Sequence, residues 1–220
     1  MRHASPPPFP LRPLSRPPTE LAPPTSRAGS RADENGGNSI KGTGFRTLQG
    51  FAQKDLTGEE LADLGNSYYG STSYFDDEIS AALAGTDNSA STNGGDYSSA
   101  VDDTRQQVAK KITAYGAVWI YAIHEFESAL VKCTGASGDT YSAQHAWDEG
   151  WAFYAGSTQE AASTSSGNLV YYLAQKRCMN YATCASGTSG LATVNENVLT
   201  YVNAGLTALA DCDTSAAGAA

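Results

Sequence analysis

Two short motifs hold the side chains best suited to metal or proton chemistry. His124 and Glu127 form one His-x-x-acid pair, and His145 and Asp148 form another. On a helix, positions three apart lie side by side, so each pair would project from one face. Glu125 and Glu149 stand beside the pairs and could add two more carboxylates. Imidazoles combined with carboxylates suit iron, manganese or zinc. Helical bundles build such sites from facing helices, usually with the acid first; here the histidine precedes it. A second reading needs no metal, because buried acids are also satisfied by bases. Lys176 and Arg177 could pair with Glu125, Glu127 or Asp148, and Asn195 could complete a purely structural network. Tyrosines such as Tyr121, Tyr154, Tyr171 and Tyr172 could hold ferric ion as phenolates, although packing accounts for them more simply.

Other chemistries find little support. There is no GxSxG elbow, phosphate loop or GxGxxG fingerprint, and the third histidine, His3, lies far from the other two.

The elements that must position these residues are helical. Val108, Ile112, Tyr115, Trp119, Ala122, Phe126, Ala129 and Cys133 recur at spacings of three and four. From Ala117 to Ile123 the remaining positions are apolar as well, which predicts a segment surrounded by other elements. This central helix is expected from Ser98 or Ser99 to about Cys133, roughly 50 Å long unless it kinks near Gly116. Before it, Thr57 reads as the cap of a short helix ending near Gly65, and Ser73–Ala84 as a second helix stopped by Gly85. Residues 39–56 are ambiguous, and 85–97 read as a polar loop. After it, a helix from Asp139 or Thr140 to Gly156 carries Gln144, Trp147, Asp148, Trp151, Ala152 and Ala155 on one face. Asn168 then caps a fifth helix, and a stripe from Leu191 to Leu209 marks a sixth that ends near Cys212. The fold class is therefore all-α, an antiparallel multi-helix bundle.

Residues 1–38 hold all nine prolines and form a Pro/Arg-rich tail expected to be disordered; residues 39–213 form the helical domain, with its core in 98–212. The first 31 residues contain five Arg and one Glu, which leaves nine basic against 22 acidic residues, a net −13, in the rest. Such an acidic folded part argues against nucleic-acid partners and is compatible with attracting cations. No apolar run approaches the roughly 20 residues of a transmembrane helix. The start has no apolar signal core, which conflicts with secretion unless the chain is a piece of a longer protein. Four cysteines, Cys133, Cys178, Cys184 and Cys212, with no CxxC among them, predict two disulfides in an oxidising compartment. The pairing is open among three connectivities.

The blocks YAIHEFESALVKC, HAWDEGWAFYAGS, GNLVYYLAQKRCMNYATC and VNENVLTYVNAGLTAL resemble the low iron-inducible periplasmic protein family of algae. The resemblance covers roughly residues 98–212. It implies a secreted or periplasmic iron-assimilation protein, induced by iron shortage, that binds iron and aids its uptake without catalysis. The implied partners are iron ions and a cell-surface transport system. The resemblance also implies a family whose members are often longer, with room for repeats of the domain. The resemblance carries the family's acidic and histidine positions onto His124, Glu125, Asp148 and Glu149. A looser similarity, through the His-x-x-Glu element, runs to imelysin-like helical proteins. Two alternatives stand beside this reading: a metal-dependent oxidoreductase of ferroxidase type, and a structural cell-surface protein without a metal site. Cys133 is further expected to pin the end of the central helix to the Cys178/Cys184 segment.

Overall fold

Helix boundaries in this chain follow its capping chemistry. The computed structural model describes residues 47–134, 138–156, 169–213 and 217–218, all within the unit Arg46–Ala220. The predicted tail and the Asn168 cap lie outside the described residues. Thr47 opens α1 (Leu48–Ala52), its hydroxyl accepting from the Gly50 N–H. The next helix, α2 (Glu60–Tyr69), starts after Glu59 rather than at Thr57. Asp55 engages both the backbone and the hydroxyl of Thr57, and Asp63 reaches back to the Gly58 N–H instead. Gly65 does not stop α2, which runs on to Gly70 in the left-handed conformation. An interior glycine costs only about 1 kcal/mol, within what packing can override. As expected, α3 (Tyr74–Ala84) begins after Ser73 and ends at left-handed Gly85.

The polar loop after α3 folds around one buried acid. Glu78, 3% exposed, accepts from Asn88 Nδ2 at 2.7 Å, from the Gly95 N–H at 2.9 Å and from the Tyr97 hydroxyl. A carboxylate with three donors can be buried, because its lone pairs are answered. Burial and this bond also hold the Tyr97 phenol protonated well above the ordinary tyrosine range.

The central helix differs from expectation in its start and in its phase. It comprises α4 (Asp102–Ile112), a π-helical turn (Thr113–Ala117) and α5 (Val118–Thr134). Asp102 and Asp103 occupy the first turn, where the helix dipole favours acids. The π turn accommodates one extra residue, so the buried positions step from Ala109 to Ala114 and then follow Val118, Tyr121, Ala122, Glu125, Ala129 and Cys133. Trp119 and Phe126, members of the predicted stripe, end up half-buried, and Glu125 takes a buried position. The stretch that is apolar all round is therefore not fully surrounded: Trp119, Ile120 and Ile123 keep partial exposure.

Three helices complete the bundle. α6 (Thr140–Ala155) is capped by Asp139, whose carboxylate accepts from the Ser142 N–H. α7 (Val170–Tyr181) follows, then α8 (Thr193–Leu209), which starts later than Leu191 and ends before Cys212. Aromatic contacts fix the directions. Trp119 meets Tyr154, Tyr121 meets Phe153 and Phe126 meets Trp147, so α5 and α6 are antiparallel. Trp147 donates to Val202 O and Tyr154 to Asn195 Oδ1, so α8 runs antiparallel to α6. Small residues let these helices approach. A Cβ on Gly150 would sit 2.9 Å from the Phe126 ring, and one on Gly205 would sit 2.0 Å from the Trp147 ring. The buried face of α6 is Ala143, Ala146, Trp147, Gly150, Tyr154 and Ala155; Asp148 and Ala152, expected on that face, are exposed.

The molecule is an all-helical bundle, with isolated bridges but no sheet among the described residues. Two disulfides brace it, Cys133–Cys212 and Cys178–Cys184. Cys133 thus ties α5 to the segment after α8 and not to the Cys178/Cys184 loop. Leu209 and Trp147 pack with Cys133 in one core cluster, which brings the two helix ends together.

Candidate functional site

The predicted residues fall into two groups. The first lies where the start of α2 meets α5. His124 Nδ1 is 2.5 Å from Glu59 Oε1, with side-chain exposures of 17% and 25%. In the neutral ring this contact places the proton on Nδ1, donated to the carboxylate, and leaves the lone pair on Nε2. A carboxylate holding one ring nitrogen is the usual way a histidine is oriented to offer the other to a metal. Nε2 of His124 makes no hydrogen bond among the described residues. Glu127, one helical step away on α5, has its carboxyl raised above the ordinary range. Burial contributes most, then the charge of Glu59; His124 opposes the shift and Glu60 adds to it. The charges of Glu59 and Glu60 thus both bear on Glu127, a repulsion that a cation would relieve.

The second group lies on α6. His145 Nε2 is 3.2 Å from Glu149 Oε1, and its ring lies parallel to that of Tyr141 with centroids 6.4 Å apart. Asp148 projects into solvent at its outer edge; the side chains packed around its base raise its carboxyl, and His145 counteracts this. His145 is 67% exposed, so its pair with Glu149 is a weak surface contact.

Glu125 belongs to neither group. It is 6% exposed and makes no hydrogen bond or ion pair among the described residues. Among those residues no group of three or more His, Cys, Asp or Glu side chains is arranged to hold a metal ion. A ferroxidase-type centre would need both histidines and about four carboxylates to converge. The structural alternative fares no better in its stated form. Arg177 bonds to Asn180 and Lys176 lies over the Tyr172 ring, both exposed, and neither reaches the acids. Asn195 is indeed a buried node, 1% exposed, but its partners are the Tyr154 hydroxyl and the Tyr171 carbonyl. Burial pushes the Tyr154 phenol up to about 12, so it stays a donor at neutral pH rather than an iron-binding phenolate.

Glu59 and Glu60 carry no metal-site signal of their own, because a Thr with a Glu three residues later is explained by helix capping alone. The signal was the Thr57-Gly58-Glu59-Glu60 run, read only as a cap.

The described residues thus form a helical bundle braced by two disulfides, with one histidine held by a carboxylate. Residues 28–219 match the family model described as low iron-inducible periplasmic protein. The chain belongs to that family. No match was found among curated proteins or among solved structures. No helix of the described residues is long and apolar enough to cross a membrane.

Proposed function

We propose that the protein is a secreted or periplasmic iron-assimilation protein that binds iron and passes it to a cell-surface transport system without transforming it. Iron is cargo in this reading. Of the anticipated positions, His124 and Glu127 take the ion first, together with Glu59 and Glu60; His145, Asp148 and Glu149 form a weaker second station. The observation that carries the assignment is the Glu59–His124 contact, which leaves Nε2 available beside the raised carboxyl of Glu127. Binding requires Glu127 to lose its proton, so affinity rises with pH through the acidic range. Among the described residues no three-ligand set is preassembled, so side chains must reorient on binding and affinity is modest. That suits a protein that must also release its ion.

Isothermal titration with ferrous ion under anaerobic conditions, and with ferric citrate, tests the proposal. Wild type is expected to bind at least one form saturably. His124→Ala with Glu127→Gln should weaken it at least tenfold, whereas His145→Ala with Asp148→Asn should leave the stronger event in place. Absence of saturable binding in the wild type sinks the iron-binding reading. Loss only in the second variant moves the primary site to α6.

A further inference from the structure

A cleft of about 560 Å3 opens between α2, the start of α3 and the π-helical turn. Small-molecule sites span roughly 300–1,000 Å3. The wall is aromatic: Tyr69, Tyr74, Phe75, Tyr115 and Trp119 contribute, and Tyr69 stacks on Tyr74 with centroids 3.7 Å apart. None of the residues assigned above to iron lines it.

Three observations separate this cleft from loose packing. The π turn supplies Tyr115, Gly116 and Ala117 to the wall, and such turns occur disproportionately at functional sites. Its shape is held from both sides, since a Cβ on Gly116 would lie 2.6 Å from the Phe75 ring. Next, Trp119 and Ile120 belong to the stretch that is apolar on every face, yet they stay partly exposed and line the cleft, Trp119 while also meeting Tyr154 of α6. Finally, Lys54 is the sole charged side chain among the described lining residues. Its Nζ stands 4.9 Å from the Tyr121 ring centroid and 3.5 Å from the Tyr121 hydroxyl. It enters no ion pair among the described residues, although the chain carries a net charge of −9. An unneutralised lysine at the mouth of an aromatic cleft, on an acidic protein, is a selective feature for an anion.

The geometry points to a binding site for a small planar aromatic anion, with its ring among Tyr69, Phe75 and Trp119 and its acidic group at Lys54. Asn66, Ser71 and Thr72 offer further polar contacts to substituents. Ring stacking supplies affinity and Lys54 supplies the preference for charge.

The test uses the full chain with 1-naphthoate and its neutral counterpart 1-naphthalenemethanol, followed by titration calorimetry and tryptophan quenching. The carboxylate should bind one to one and at least tenfold more tightly than the alcohol. Lys54→Met should abolish that preference while leaving the alcohol's binding unchanged. Gly65→Phe should abolish binding of both, because a Cβ there has no atom within 4 Å and its ring would occupy the cleft. Thr72→Trp, at an exposed lining position, serves as a second filling variant if the first does not fold. No saturable naphthoate binding would overturn the proposal, as would a preference that survives Lys54→Met. Unchanged binding in a folded filling variant would do the same.

Discussion

Two glycine-to-alanine substitutions in helices should have opposite signs, and the structure says why. Gly65 and Gly205 both lie inside helices, so intrinsic propensity alone favours alanine at each by about 1 kcal/mol. At Gly65 nothing lies within 4 Å of the new methyl, so that gain is realised and Gly65→Ala stabilises by about 0.5–1 kcal/mol. At Gly205 the methyl would sit 2.0 Å from one ring carbon of Trp147 and 2.6 Å and 2.7 Å from two others. Trp147 cannot swing away cheaply: it is 5% exposed, and its indole N–H donates to Val202 O at 2.8 Å. Overpacking costs about 1–3 kcal/mol and a strained hydrogen bond about 1 more, against the same gain of about 1. Gly205→Ala should therefore destabilise by about 2 kcal/mol. Urea unfolding under non-reducing conditions, read by circular dichroism and tryptophan fluorescence, measures both variants. Equal effects at the two positions, or a stabilised Gly205→Ala, would show that the close approach of α6 and α8 at Trp147 is wrong.

Other outcomes follow from the polar interior and the disulfides. Glu78→Ala strands the donors of Asn88, Gly95 and Tyr97, and should cost about 3 kcal/mol with faster amide exchange across residues 86–97. Tyr154→Phe removes the donor to buried Asn195 Oδ1 and should cost about 1–2 kcal/mol in the same unfolding assay. Replacing Cys133 and Cys212 with serine opens a separation of 79 residues and should cost about 4 kcal/mol, against about 2 for the Cys178–Cys184 pair with a separation of 6. Glu127 titrates higher folded than unfolded, so its protonated form favours folding; that contribution is present at low pH and fades as pH rises through the acidic range above 4.5. Glu127→Gln should accordingly raise stability at neutral pH and flatten this part of the pH profile.

Helices and their stops were legible where a local signal decided them. Gly85 ended α3 and Asp139 opened α6 because a left-handed glycine and an N-cap carboxylate act within one turn. Tertiary contacts decided the rest. Gly65 looked like a stop and is not one, because Gly70 supplies the left-handed residue later. The stripe through Trp119 and Phe126 was read at constant period, and a π turn is invisible to periodicity until its phase shift is seen in Ala109 and Ala114. That slip is what buries Glu125. For the candidate site, His124 and Glu127 were visible as a pair, but Glu59 stands just before α2, 65 residues earlier in the chain, and no local pattern joins them. Lys176 and Arg177 looked like partners for the acids only because charge was matched without knowing which face of α7 is exposed. Cys133 found Cys212 because the last turn of α8 returns to the end of α5.

The Cys133–Cys212 bond also decides what survives a cut. It closes a covalent ring that contains all of α6, α7 and α8. A single protease cleavage anywhere between the two cysteines opens the ring without releasing a fragment, and the nick would show only on a reducing gel. Cleavage before Cys133 has no such safeguard: α1 to α4 and their cleft are retained by packing alone. Under proteolysis the half carrying His145 is tethered, and the half carrying Glu59 can be shed.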